Sequence, residues 1–229
     1  VFIGLSIGAN VLVSRYYGAR NDRDMSDTIH TAITVSLVSG VILVFVGVLT
    51  SRFWLELMGT PDDVIDLAVL YMSIYFAGMP ATMAYNFGSA ILRAVGDTRR
   101  PLYFLTVAGV INACLNLVFV IQFHMDVAGV ALATVISQCI SAVLVLRCLI
   151  RSEGALHLDL RRLRIDRRKF QMILQVGLPA GVQGAIFASS NVLIQSSVNS
   201  FGSIAMAGNT ASQNIENFVY ASMNALYQT

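Results

Sequence analysis

Long runs of apolar residues, each closed by a short charged cluster, make up most of this chain. Residues 1–14 carry no charge before Arg15, residues 28–51 carry none, and residues 67–92 carry none between Asp66 and Arg93. Residues 101–125 and 127–146 follow, divided by Asp126, and from Gln171 to Ile215 there are 45 consecutive positions without Asp, Glu, Lys or Arg. A helix rises about 1.5 Å per residue, so about 20 apolar residues cross a hydrocarbon core roughly 30 Å thick. Each of the first five runs therefore predicts one crossing. The last is too long for one and predicts two helices joined near Gly202 and Ser203. Seven spans result, the first of them partial, and because the chain opens and closes inside apolar runs, further helices are expected on both sides.

Charge placement gives the spans a direction. Loops on the cytoplasmic side of membrane proteins are enriched in Lys and Arg. Alternate loops hold Arg15, Arg20 and Arg23, then Arg93, Arg99 and Arg100, then Arg147, Arg151, Arg161, Arg162, Arg164, Arg167, Arg168 and Lys169. Fourteen of the 15 basic residues thus fall on one side, and only Arg52 on the other. The first helix runs outward to inward, and the chain near Thr229 heads toward the cytoplasm. The stretch from Arg151 to Lys169 reads as a basic cytoplasmic linker, either a short amphipathic helix on the membrane surface or a solvated tether. Residues 52–65, with Trp54, read as an interfacial turn on the outer side. Two lobes follow: 1–150 with five spans, and the start of a second at 170–229.

Composition agrees and excludes other classes. Hydrophobic residues make up 56% of the 229 and charged ones 12%, with a mean hydropathy of +0.69; a soluble domain carries about 25% charged residues. A formal charge of +2 is too small to mark a nucleic-acid partner. Cys114, Cys139 and Cys148 lie inside apolar runs at spacings that fit neither a disulfide framework nor zinc, and read as small buried hydrophobes. An intramembrane enzyme would need paired catalytic groups at depth, whereas His30, His124 and His157 lie near span ends or in loops.

Polar residues inside the spans then carry the functional reading, because lipid offers them no hydrogen bonds. Asn112 and Asn116 stand four apart on one helical face. They fit either a pair of amide ligands lining an ion or proton site or interhelical glue worth about 1 kcal/mol. In the last span Asn209, Ser212, Glu216, Tyr220, Met223 and Tyr227 recur at steps of three and four, predicting one polar and aromatic face turned to a cavity. Glu216 lies roughly 16 Å along a helix starting near Ala205, close to mid-bilayer. There an acid costs on the order of 2.5–3.5 kcal/mol, and it is expected to hold a proton, bind Na⁺ or attract a cation. Gln183, Phe187 and Ser190 share another face, with Asn191 beside it. Gly78 with Pro80, and Gly177 with Pro179, mark two places where a helix can bend, as hinges or as static kinks. Phe2, Ile3, Ser6, Ile7 and Ala9 align with Phe218, Val219, Ser222, Met223 and Ala225, which hints at parallel internal repeats.

Five segments together carry a family likeness: SRYYGARND at Ser14–Asp22, ILRAVGDTRRP at Ile91–Pro101, the Asn112 and Asn116 pair, AGVALATVISQ at Ala128–Gln138, and GLPAGVQ at Gly177–Gln183. In order and spacing they resemble the multidrug and toxic-compound extrusion (MATE) family, in its prokaryotic DNA-damage-inducible branch. The resemblance implies an all-α, two-lobed bundle of twelve helices, of which this chain supplies the second to the eighth. It also implies cation-coupled export of organic cations by alternating access, from a multi-pass position in a bacterial cytoplasmic membrane. We expect a monomer that is not an enzyme, has no cofactor and no metal, and couples to Na⁺ or H⁺. The expected ion or substrate residues are Asn112, Asn116, Gln183, Asn209, Glu216 and Tyr220, with Pro80 and Pro179 as hinges. Two departures stand out. The acidic residue usual on the family's first helix is not in this chain, and where some members carry a glutamate on the seventh helix, this sequence has Phe187. The rival reading is a flippase of lipid-linked saccharide precursors, which deep arginines would favour; no Arg lies deep in a span.

Overall fold

The computed structural model describes residues 2–57, 62–199, 212–213, 215–217, 219–220 and 223. Among them every regular element is helical: α1 (Phe2–Gly18), α2 (Asp22–Leu57), α3 (Asp62–Ala77), α4 (Met79–Ala94), α5 (Arg99–Leu117), α6 (Asp126–Arg151) and α7 (Arg167–Asn199). Four of them cover lengths and compositions that can cross a membrane, and α3 with α4 form a bent pair that makes a fifth. The expected seventh span falls mostly outside the described residues. So do Asn209 and the repeat partners Phe218, Ser222 and Ala225.

Two of the family-like segments are helix-stop and helix-start devices. In the first, Arg20 adopts φ 52° and the Asn21 amide bonds back to the Tyr16 carbonyl, which ends α1. The Asn21 side chain then accepts from the Asp24 N–H and donates to the Asp24 carboxylate, capping α2. In the second, Gly96 at φ 86° allows the Asp97 amide to reach the Leu92 carbonyl, and Asp97 accepts from the Arg100 N–H at the start of α5. Both turns reverse the chain at the same basic end.

Contacts at that end confirm the side on which the arginines gather. Ser14 donates to the Ala94 carbonyl, Arg100 reaches the Cys148 sulfur, and Arg164 pairs with Asp27 at 3.2 Å. Arg52 instead pairs with Glu56 and Asp66, near the other end of α2. At 36 residues, α2 is about 54 Å long and outreaches the hydrocarbon at both ends. The outer segment read as a turn from residue 52 therefore starts as helix, with Phe53 and Trp54 exposed at its rim.

One expected bend is present, and one further expectation needs correction. The run 67–92 breaks where Gly78 with Pro80 marked a bend: α3 stops at Ala77, and α4 starts at Met79 with its axis turned 45°. Pro80 sits in the first turn of α4, where its missing N–H costs nothing. The linker is not an amphipathic surface helix. It holds single 3₁₀ turns at Gly154–Leu156 and Leu160–Arg162, and extended backbone between them. The backbone takes its partners from α2: the Asp159 N–H donates to His30 Nε2 and the Asp166 N–H to Thr31 Oγ1. His30 is buried, and its Nδ1 lies 2.8 Å from the Ser26 carbonyl. In that pairing Nδ1 donates to Ser26 and Nε2 accepts from Asp159. Leu158, in the strap itself, is buried in the hydrophobic core.

Residues Val1–Gly181 make one compact unit and Val182–Thr229 a second. The core of the first joins Leu5, Leu12 and Val13 of α1, Ile29 and Ile33 of α2, Phe87 and Ile91 of α4, Val145 and Leu149 of α6, and Ile173 of α7. Outward, α2 shows Val41, Ile42, Phe45 and Leu49, and α5 shows Leu102, Leu105, Val110 and Leu117. Apolar surface on that scale matches lipid as the surrounding solvent. Where α1 crosses α7 there is no room for side chains. A Cβ on Gly177 would stand 2.8 Å from both the Gly4 carbonyl oxygen and the Leu5 Cα, and one on Gly4 would overlap the Gly181 and Gly177 backbone.

The start of α7 is pinned by one cation. The Lys169 ammonium, its side chain 7% exposed, lies 2.7 Å from Asp24, 3.0 Å from the Tyr16 hydroxyl and 4.1 Å from the centre of the Tyr16 ring. Lys169→Met keeps the aliphatic stem but removes the donor to Tyr16 and leaves the Asp24 carboxylate with Asn21 alone. The expected cost is about 1–3 kcal/mol, read as a lower unfolding midpoint of the purified protein in detergent micelles. An unchanged midpoint would show that the cluster adds nothing.

Candidate functional site

The amides expected on one face do meet. Asn116 Nδ2 donates to Asn112 Oδ1 at 2.8 Å, and Asn112 Nδ2 donates across to Ser137 Oγ at 3.1 Å and to Thr134 Oγ1 at 3.4 Å on α6. The hydroxyls are positioned from their own helix, since Thr134 donates to the Val130 carbonyl and Ser137 to the Thr134 carbonyl. One atom is left over. Asn116 Oδ1 is buried and, among the described residues, has no hydrogen-bond partner. Thr134 and Ser137 lie three apart on α6, a same-face spacing that the sequence offers but that does not by itself reveal which helix it meets.

The backbone beside this network departs from α-helical geometry. Residues Val118–Gln122 form a π turn, closed by the Phe123 amide on the Val118 carbonyl. The chain leaves it through His124 at φ 51° before α6 begins at Asp126. π turns shift helical register by one residue and often accompany functional sites. A second polar tie lies between α1 and α4, where Asn10 donates to the Ala90 carbonyl at 2.7 Å.

In the second unit, Glu216, Tyr220 and Met223 line an open depression of about 440 Å³ with Ile215, Asn217 and Val219. Glu216 and Tyr220 are both exposed there. Gln183 and Phe187 are exposed on α7, and Pro179 lies inside that helix without ending it. Pro80 differs, since it stands beside the break between α3 and α4. No cluster of His, Cys, Asp or Glu able to hold a metal occurs among the described residues.

The glycine crossing of α1 and α7 was missed by the reading of the sequence, which took Gly177 as part of a bend. Its signal was present: Gly4 and Gly8, and Gly177 and Gly181, are each four apart in apolar runs, the spacing of close helix pairs in membranes.

Comparison with known proteins fits this architecture. The MatE family model matches residues 1–118. The Bacillus subtilis (strain 168) protein named "Probable multidrug resistance protein YoeA" is 31% identical over 212 residues, covering 90% of this chain and 46% of the relative. DNA damage-inducible protein F of Escherichia coli (strain K12) is 27% identical over 134 residues, 58% of this chain and 29% of its own length. A multidrug resistance MATE family transporter solved in an outward-facing conformation aligns with TM-score 0.85 at 23% identity, over 94% of this chain and 48% of that one, a likeness of fold. The chain spans about half the length of the Bacillus subtilis relative and of the solved transporter. It is a multi-pass helical membrane protein, and it belongs to the multidrug and toxic-compound extrusion (MATE) family.

Proposed function

We propose that the full-length protein is a secondary active antiporter that exports organic cations across a bacterial cytoplasmic membrane in exchange for Na⁺ or H⁺ by alternating access. In this reading residues 1–150 belong to one lobe, 151–169 link it, and 170–229 begin the other, with the whole working as a monomer. The observation that carries the reading is the unpartnered Asn116 Oδ1. Leaving an acceptor buried and unpaired costs about 1–3 kcal/mol, and a cation arriving at that oxygen removes the cost. Asn112, Asn116, Thr134 and Ser137 supply oxygens and no titratable group. They can hold a metal cation or water but cannot carry a proton at neutral pH.

Protons therefore need another carrier. Glu216 is the only carboxylate in the expected spans of this chain. Its depth supports a role in coupling or in attracting the organic cation, with Tyr220, Gln183 and Asn209 as further candidates for a flat amphipathic substrate. The test is dye export from vesicles containing the full-length protein, under an imposed Na⁺ or pH gradient. One of the two gradients is expected to drive an ethidium-like dye outward without ATP; transport under neither would end the proposal. Asn116→Leu is expected to lower gradient-driven export at least tenfold while the protein stays folded in the membrane. Export at the wild-type rate would return the amide pair to a packing role.

A further inference from the structure

The linker strap builds a pocket that the transport reading leaves unused. Ser26, Asp27 and His30 of α2 face Arg161, Arg162, Leu163 and Arg164 around a cavity of about 440 Å³. Its charge is unbalanced. Arg164 is engaged by Asp27 at 3.2 Å, and Arg162 by Asp159 at 3.3 Å with 81% of its own side chain still exposed. Arg161 forms no ion pair among the described residues. Among the lining residues, three guanidinium groups face a single carboxylate. The surplus rests on the arginines.

The location selects the ligand. Asp27 is the last charged residue before the run at 28–51, so the pocket lies at the level where hydrocarbon gives way to headgroups. Flanking the arginines, Leu160 is 53% exposed and Ile165 47%. Apolar side chains on either side of a cationic pocket at that depth suit the edge of a bilayer rather than bulk water. Arginine forks match phosphate oxygens in pairs, and basic pockets at the cytoplasmic ends of membrane helices suit anionic headgroups.

We propose that this pocket seats the phosphate of an anionic phospholipid headgroup from the cytoplasmic leaflet, with Leu160 and Ile165 dipping into the lipid beside it. The sidedness rests on the arginine topology and not on the transport reading, so the inference stands if efflux fails. Arg161 and Arg162 supply the contacts. The Arg164–Asp27 pair and the His30–Asp159 bond hold the strap in place.

Full-length protein in mild detergent is titrated with phosphatidylglycerol, with phosphatidylcholine and, separately, with inorganic phosphate. Bound lipid is read by native mass spectrometry and stability by the unfolding midpoint. Phosphatidylglycerol is expected to be retained and to raise the midpoint, with phosphatidylcholine inert. Arg161→Gln with Arg162→Gln is expected to weaken phosphatidylglycerol binding at least fivefold. Arg23→Gln with Arg99→Gln, which removes the same charge from exposed sites elsewhere at this end, should leave it within twofold. Equal weakening by both double variants would reduce the effect to net charge and overturn the site. An equal midpoint rise with inorganic phosphate alone would overturn the lipid as ligand. If Arg161→Gln with Arg162→Gln lowers the lipid-free midpoint, the same ratio is read with Arg161→Lys and Arg162→Lys. These keep charge but lose the fork, and undiminished binding would again overturn the proposal.

Discussion

Gly177→Leu is expected to deprive the full-length protein of its folded state. The position has backbone in front of it, since a Cβ there meets the Gly4 carbonyl oxygen and the Leu5 Cα at 2.8 Å. A flexible side chain can move aside, but a helix backbone moves only with its helix. Overfilling a packed site costs about 1–3 kcal/mol where neighbours can adjust, and here α1 and α7 would have to separate. The Tyr16–Lys169–Asp24 cluster and the buried Ile173 beside it would then be pulled apart as well. Size-exclusion profiles of the membrane-extracted protein should show loss of the monodisperse peak, and Gly177→Ala should keep the peak with a lower unfolding midpoint. A monodisperse leucine variant with the wild-type midpoint would mean that the two helices do not touch backbone to backbone.

Glu216→Gln in the full-length protein is expected to abolish ion-driven dye export while expression and folding persist. The substitution preserves shape and removes the only titratable charge after Lys169. A carboxylate placed near mid-bilayer costs on the order of 2.5–3.5 kcal/mol, so a purely structural role predicts that the glutamine variant is at least as stable as the wild type and fully active. A coupling role predicts a stable protein without transport. Measuring the midpoint and the export rate on the same preparation separates the two, and undiminished export would remove Glu216 from the mechanism.

The helices were legible because the solvent writes them into the sequence. Uncharged runs of bilayer length and arginines in alternate loops leave few topologies, and the ends at Gly18, Ala94 and Arg151 fall where Gly, Asp and Arg cluster. The Asn112–Asn116 face was legible for the same reason, since an amide in lipid needs a partner. Which partner was not, because Thr134 and Ser137 resemble any other hydroxyls in a span until two helices are placed side by side. The break was legible from Gly78 and Pro80, but its 45° angle was not, since the unbroken apolarity of 67–92 reports on solvent and not on axis direction. The linker misled in the opposite sense. Its alternation of Leu and Arg imitates an amphipathic helix, yet α2 offers His30 and Thr31 as acceptors for its backbone, and extended chain with those bonds replaces the helix.

The compact amino-terminal unit ends at Gly181, inside α7 and beyond the linker. Two residues earlier, Pro179 has no N–H to offer the Gln175 carbonyl, so one rung of the helical ladder is absent just before the boundary. The strap at 152–166 is tied down on α2 and has no slack to pay out. α7 is therefore stiff along most of its length and yields most readily in bending where that rung is missing.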